Sequence, residues 1–321
     1  MKRLWRGLAL KKRPCTWPKK NGRCGVPTPA RVISPTVLLR MSTASAEHLI
    51  REHVALPTLP QVVAKINALV DDPDVGVREI GAAVAEDAPI AAQVLRLANS
   101  ARYGLRERVL STEHASAVLG VRMLRDIAMQ AAVVSQYDHL RGQNDFDLEA
   151  LWKHSILDGL ACGLLAGRSR ARIELAPEEF QVVGLLHDIG KVLLLESDAA
   201  AYLACVREAR QRGTPEFRAE EARFGFHHGE VGALIATSWG LPRLVGECCR
   251  YHHGPSERLL ASPTLALVAL GNQMVHRLEE GDPKGARAVF TAEACALLCL
   301  RPEDVAEVVE RTEALKPQVT V

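Results

Sequence analysis

The stretch VVGLLHDIGK, residues 182–191, places a histidine and an aspartate directly after a run of apolar side chains. Burying an imidazole and a carboxylate costs free energy unless the groups are paired or bind a metal ion. Ile189 and Gly190 then predict a tight turn, and Lys191 adds a cation suited to a phosphate group or to Asp188 itself. His187 and Asp188 therefore mark the centre of a candidate functional site.

Around this motif the chain has the pattern of an all-α protein. Apolar residues recur at helical spacing from Glu47 onward, and no two-residue alternation is long enough to indicate a strand. Aromatic residues make up only 4% of the chain, which favours helices packed through aliphatic side chains. We predict helices over residues 61–70, 77–87, 88–104, 112–119, 121–136, 148–167, 177–187, 198–211, 215–224, 228–239, 241–252, 258–278, 291–299 and 302–314.

The first forty residues differ from the rest in charge. Of the 40 Lys and Arg residues, eleven lie within residues 1–40, which contain no Asp or Glu, so residues 41–321 carry 29 basic and 38 acidic side chains. We interpret residues 1–45 as a disordered basic extension, with Met41 as a plausible alternative start. The alternative is an arm that contacts nucleic acid or an anionic membrane. The acidic remainder argues against nucleic-acid binding by the folded part.

Cysteine usage and hydropathy predict a cytoplasmic protein. None of the eight cysteines belongs to the paired C-x-x-C pattern of a zinc site, and thiols suit a reducing compartment. No apolar run approaches the roughly 20 residues that span a bilayer.

Six of the eleven histidines lie within residues 154–253, each near the end of a predicted helix. Taken alone, His154 could be a histidine of the core and His227 a residue without a role in the site. His252 and His253 could lie at a helix C-terminus, where imidazolium is favourable. Together, imidazole and carboxylate ligands suit Fe, Mn, Zn or Ni. The chemistry that such a site would support is attack of metal-bound water on a phosphoryl group.

These residues resemble a known family. LLHDIGK (185–191) is similar to the HD motif of the HD phosphohydrolase superfamily, and its surroundings resemble the HDOD branch, the HD-related output domains of bacterial signalling proteins. The resemblance covers residues 56–278 and rests on LPTLPQVV (56–63), EDAPIAAQVLRLANSARYG (86–104), WKHS (152–155), EEARFGFHHGEVGALIATSWGLP (220–242) and the His pair 252–253. It implies a multi-helix HD-like bundle with an additional N-terminal helical lobe. We place the lobes at 46–140 and 148–278, with a C-terminal helical segment over 279–321.

The resemblance also implies a set of metal positions. It assigns metal-binding roles to His154, His187, Asp188, His228, His252, His253 and Asn272. The family normally has Asp at the last position, and Asn brings a dipole instead of a charge, which weakens the predicted site. The Gly-Tyr-Pro signature of cyclic-dinucleotide phosphodiesterases is absent after His253, where GPSERLL follows. Glu220 matches a family position, for which we expect helix capping or pairing with an Arg.

Two main hypotheses of function follow. The first is a regulatory output module that acts through contacts with signalling proteins, with a His/Asp cluster that binds one or two divalent transition metals or senses a nucleotide-type ligand. The second is a metal-dependent phosphohydrolase or cyclic-nucleotide phosphodiesterase, in which Asp188 and Lys191 would be catalytic.

Overall fold

The computed structural model describes residues 47–319, except for 49, 53, 71, 73–74, 100–106, 143–144, 178 and 255. The basic segment 1–45 lies outside the described residues. Those that are described belong to one compact unit, residues 46–321. They form helices and no β-strand, so the prediction of an all-α fold is confirmed. None of their helices is long and apolar enough to cross a bilayer.

The described part of the N-terminal half includes α1 Gln61–Val70, α2 Val77–Ala85, α3 Ala88–Ala98, α4 Thr112–Leu119 and α5 Val121–Gln136. The start of α3 is fixed by Asp87, whose side chain accepts a hydrogen bond from the amide of Ile90, and a proline follows in the first turn. After α3, the Asn99 amide clamps Val109 through two hydrogen bonds of 2.7 Å. These contacts close the half on itself.

The second half contains the candidate site. Its helices are α6 Leu148–Arg168, α7 Phe180–His187, α8 Ile189–Ser197, α9 Ala199–Arg212, α10 Glu216–Phe224, α11 His228–Ser238, α12 Arg243–Tyr251, α13 Ser256–Ala261 and α14 Pro263–Glu279. Helices α6 and α7 cross where Gly184 packs on the backbone of Gly159 and Ser155. The indole of Trp239 joins the two halves by donating a 2.8 Å hydrogen bond to the carbonyl of Pro57.

Three short-range predictions were wrong. Ile189 and Gly190 do not form a turn, because the chain bends at Asp188 alone and α8 starts at once. The helix predicted over 258–278 is divided at Ser262, whose hydroxyl caps α14 ahead of Pro263. Two helices were not predicted, α8 and α15 Pro283–Ala288; the second precedes α16 Ala292–Leu298 and α17 Pro302–Leu315.

The C-terminal helices pack on the second half. Arg170, just after α6, forms a 3.0 Å ion pair with Asp304 of α17, and Arg168 pairs with Glu307. Arg287 of α15 pairs with Glu310 of α17 at 2.8 Å. The last helices therefore brace the end of α6 that lies away from His154.

Candidate metal centre

Six helices, α6, α7, α8, α11, α12 and α14, bring the predicted site residues together. His154 lies on α6, His187 and Asp188 at the bend between α7 and α8, and His228 at the first position of α11. His252 and His253 follow the last residue of α12, and Asn272 lies on α14. The close approach of α8 to α11 depends on Gly190, because a β-carbon there would collide with the carbonyl of His228.

One group of ligand atoms surrounds the Oδ1 atom of Asp188. The Nε2 atom of His228 lies 3.0 Å from this oxygen, and the Nε2 atom of His252 lies 3.6 Å from it. The Nε2 atom of His228 is also 3.3 Å from that of His252 and 3.0 Å from that of His253. We call Asp188, His228, His252 and His253 the His228 set; each offers one ligand atom, and these atoms lie within 4.8 Å of one another.

A second group faces the other oxygen of the same carboxylate. The Nε2 atoms of His187 and His154 lie 3.6 and 3.9 Å from Asp188 Oδ2. The Oδ1 atom of Asn272 is 3.1 Å from the Nε2 atom of His154. We call His154, His187, Asp188 and Asn272 the His154 set. Asp188 thus belongs to both sets and offers one oxygen to each.

The Nδ1 atoms of four site histidines point outward to oxygen acceptors. His187 and His252 face backbone carbonyls, Gly184 at 2.7 Å and Cys249 at 2.6 Å. His228 and His154 face carboxylates instead, Glu220 at 2.6 Å and Glu279 at 3.0 Å. Metal-binding histidines show this pattern, because an Nδ1–H bond fixes the tautomer and turns the Nε2 lone pair toward the metal.

Several inward atoms have no hydrogen-bond partner among the described residues. His187 Nε2 and Asp188 Oδ1 are buried and unbonded, since the 3.0 Å approach of His228 to this oxygen lacks hydrogen-bond geometry. Unpaired polar atoms at this depth cost roughly 1–3 kcal/mol each. Imidazole nitrogens and carboxylate oxygens that converge in this way fit a divalent transition metal.

The ionisation of the cluster leaves most of the proposed ligands ready to bind a metal ion, but His228 protonated at neutral pH. Burial lowers the pKa of His187 and of His253 well below the usual value, so both imidazoles are neutral. Burial also lowers the pKa of His228, but the Glu220 carboxylate outweighs it and brings the pKa to about 9. Burial raises the pKa of Asp188, yet the Lys191 ammonium group outweighs this effect, and the pKa lies well below its usual range.

Lys191 makes the two sets unequal. Its ammonium group lies 2.8 Å from Asp188 Oδ2 and 3.7 Å from a carboxylate oxygen of Glu216. The oxygen that faces the His154 set is therefore already paired with an ammonium group, which is not a metal ligand while it is protonated. The oxygen that faces the His228 set meets imidazole nitrogens instead, and these can bind a metal ion once His228 releases its proton.

The structure also shows roles that the sequence did not reveal. Glu220 takes the capping role that we expected, because its carboxylate accepts a hydrogen bond from the amide of His228, the first residue of α11. Its further bond to the ring of His228 was not predicted. His227 caps α11 by accepting a hydrogen bond from the amide of Gly229. Glu279 and His276 were missed, and His276 stacks on His154 with ring centroids 4.4 Å apart. His276 and Glu279 lie four and seven residues after Asn272 and therefore share a helix face with it. This spacing is the signal in the sequence that could have predicted their place in the site.

Asp158 is a further buried carboxylate beside the site that we did not predict. One of its oxygens lies 3.8 Å from Nδ1 of His187 and has no hydrogen-bond partner in the described structure. Burial raises its pKa to about 7. Asp158 thus adds less negative charge to the cluster than Asp188.

A comparison with protein families identifies the class of this fold and site. The model of the HDOD domain matches residues 56–255, which is more than half of the chain. The chain therefore belongs to the HDOD domain family. An uncharacterized protein of Treponema pallidum (strain Nichols) is 25% identical over 229 residues, which are 71% of this chain and 44% of that protein. The chain thus spans less than half the length of that relative.

Solved structures show the same fold. An HDOD domain protein of unknown function from Geobacter sulfurreducens matches with a TM-score of 0.70 and 23% identity, over 88% of this chain and 99% of that one. A candidate phosphohydrolase from Shewanella amazonensis SB2B matches with a TM-score of 0.68 and 23% identity, over 86% of this chain and 98% of that one. A candidate signal transduction protein from Marinobacter aquaeolei VT8 matches with a TM-score of 0.67 and 22% identity, over 87% of this chain and 64% of that one.

Proposed function

We propose that this protein is a signal-transduction module that acts through contacts with other proteins and holds one divalent transition metal ion in the His228 set. In this proposal the ion organises the packing of α8, α11 and α12, and the protein does not hydrolyse phosphate esters. Membership of the HDOD family supports the regulatory role, as does the likeness of fold to the Marinobacter protein.

The observation that carries the proposal is the inequality of the two sets. The His228 set combines three imidazoles with a carboxylate oxygen that has no other partner. The His154 set has an amide, Asn272, where a second carboxylate would add charge, and Lys191 already pairs with its one carboxylate oxygen. A metal ion gains far more from the first set than from the second.

Burial of the ligands also argues against turnover. His187, Asp188, His228 and His252 are each 0–1% exposed. A bound metal ion would supply Lewis-acid polarisation of a phosphate oxygen, but the substrate would have to reach it. In the residues that the structure describes, the partly exposed ligand is His253, and the ring of Phe217 stacks on it with centroids 4.5 Å apart.

A metal-dependent phosphohydrolase is the second candidate, because Asp188 offers one oxygen to each set and could hold two metal ions. The likeness of fold to the Shewanella protein is consistent with this alternative. In that case Lys191 would leave Asp188 and contact the substrate phosphate.

Assays of hydrolysis with added metal distinguish the regulatory module from the phosphohydrolase. The full-length chain, supplied in turn with Mn²⁺, Fe²⁺, Zn²⁺ and Ni²⁺, would be tested on bis(p-nitrophenyl) phosphate and on cyclic dinucleotides. We expect metal binding without turnover above that of the Asp188→Asn variant. Turnover at an enzymatic rate that Asp188→Asn and Lys191→Met both abolish would establish the hydrolase instead.

A further inference from the structure

A groove of about 440 Å³ lies between α9 and α10, on the side of α10 that faces away from the metal centre. Two alanines, Ala219 and Ala222, contribute small side chains to its lining. The groove is lined by Glu208, Arg212, Thr214, Arg218, Ala219, Ala222 and Arg223. Three arginine side chains therefore line the open space.

This concentration of positive charge is unusual for this chain. Residues 41–321 carry nine more acidic than basic side chains, yet the groove has three arginines and one glutamate. Arg212 pairs with Glu208 at 2.9 Å and Arg218 with Glu221 at 2.8 Å. Exposed pairs of this kind contribute at most about 1 kcal/mol, so an anion that binds two or three guanidinium groups can displace them.

We propose that this groove binds a small phosphate-bearing anion and that its occupation changes the affinity of the metal centre. Guanidinium groups match the geometry of phosphate oxygens through paired hydrogen bonds. The volume suits one or two phosphate groups with a small organic portion.

Helix α10 provides the connection to the metal. The residues Arg218, Ala219, Ala222 and Arg223 face the groove, whereas Phe217 and Glu220 contact the His228 set. Glu220 holds both the ring and the amide of His228, and Phe217 stacks on His253 with an interplanar angle of 11°. A shift of this nine-residue helix therefore moves the partners of two metal-binding histidines. This part of the inference rests on the proposed function.

Phosphate binding is tested first, on the full-length chain stripped of metal by a chelator. Inorganic phosphate would be titrated by calorimetry at constant ionic strength. We expect saturable binding that Arg212→Gln and Arg218→Gln each weaken about tenfold or more, the loss of one charged hydrogen-bonding group. Arg210→Gln, an exposed α9 residue outside the groove lining, makes the same charge change and should leave the affinity unchanged. Equal loss in Arg210→Gln, or no saturable binding, would overturn the proposed site.

Coupling is tested with Co²⁺, whose absorption spectrum reports its ligands. We expect phosphate, at a concentration that fills most wild-type sites but few Arg218→Gln sites, to change the apparent Co²⁺ affinity of the wild-type chain at least threefold and that of Arg218→Gln much less. Phosphate that acts directly on the metal would affect both chains equally and would refute the coupling, as would an unchanged wild-type affinity. If no metal binds at all, the proposed function fails, but the titration of the metal-free chain still decides whether the groove is a phosphate site.

Discussion

At the scale of single residues, the orientation of His228 depends on one carboxylate. Glu220 is fully buried, and its Oε2 atom accepts hydrogen bonds from both the ring and the backbone amide of His228. Such a partner fixes the tautomer of a metal ligand and raises its basicity. Glu220 is therefore a positioning residue for the proposed metal ion.

Replacing Glu220 tests this role. We expect Glu220→Gln to weaken metal binding about 10- to 100-fold, as loss of an outer partner of a metal ligand commonly does. Isothermal titration with Mn²⁺ would measure the change. The neighbouring Glu221→Gln is the matched control, because Glu221 pairs with the exposed Arg218 and does not touch the cluster. Equal affinities of Glu220→Gln and the wild-type protein would contradict the assignment.

The contact between Glu220 and His228 also predicts how metal affinity depends on pH. In the metal-free protein the pKa of His228 is about 9, so a metal ion must displace its proton at neutral pH. The pKa values of His187, His252 and His253 are lowered, so these imidazoles carry no proton to displace. Apparent affinity should therefore rise about tenfold per pH unit from pH 6.5 to 8.5, the slope of one released proton.

Competition with a metal-sensitive dye at pH 6.5, 7.5 and 8.5 would measure this slope. The slope should be smaller in Glu220→Gln, because removing the carboxylate lowers the pKa of His228. A wild-type affinity that does not change over this range would show that no proton is displaced from His228.

At the scale of elements, the bend between α7 and α8 sets the position of the central carboxylate. Asp188 alone leaves the helical conformation there, with φ −106° and ψ 1°. Helix α8 can then start beside α11 because Gly190 lies against the carbonyl of His228, where a side chain has no room. Gly190 is thus required for close packing and not for a turn.

Gly190→Ala should destabilise the protein by about 1–3 kcal/mol, since the added methyl group must displace backbone. Urea unfolding would measure the loss of unfolding free energy. Gly167→Ala is the control, because Gly167 is exposed near the end of α6 and a β-carbon there meets nothing within 4 Å. That variant should be unchanged or more stable by up to about 1 kcal/mol. Equal stability of the two variants would contradict the close-packing role.

The same elements show how far a sequence can predict this structure. Apolar spacing such as Val62, Val63 and Ile66 predicts where helices form, because one face must be buried. It does not predict the bend at Asp188, which depends on α11 packing against Gly190. Local spacing likewise gives no pairing of Glu279 with His154, since the two lie on different helices and 125 residues apart.

At the scale of the whole molecule, the two halves of the His/Asp cluster are unequal. One side of Asp188 faces three imidazoles and has no other partner, and the other side faces Lys191 and an amide. Because both sides share a single carboxylate, a metal ion on the first side uses the negative charge that a second ion would need. We therefore expect one strongly bound ion for each chain.

Metal content, measured by mass spectrometry after incubation with excess Mn²⁺ or Zn²⁺ and dialysis against metal-free buffer, tests this requirement most directly. We predict about one ion per wild-type chain, a large loss in His253→Gln, and no loss in His114→Gln, whose exposed histidine lies outside the cluster. His253 is only partly buried, so its replacement should leave the fold intact. Two tightly bound ions per chain, or none, would contradict the account.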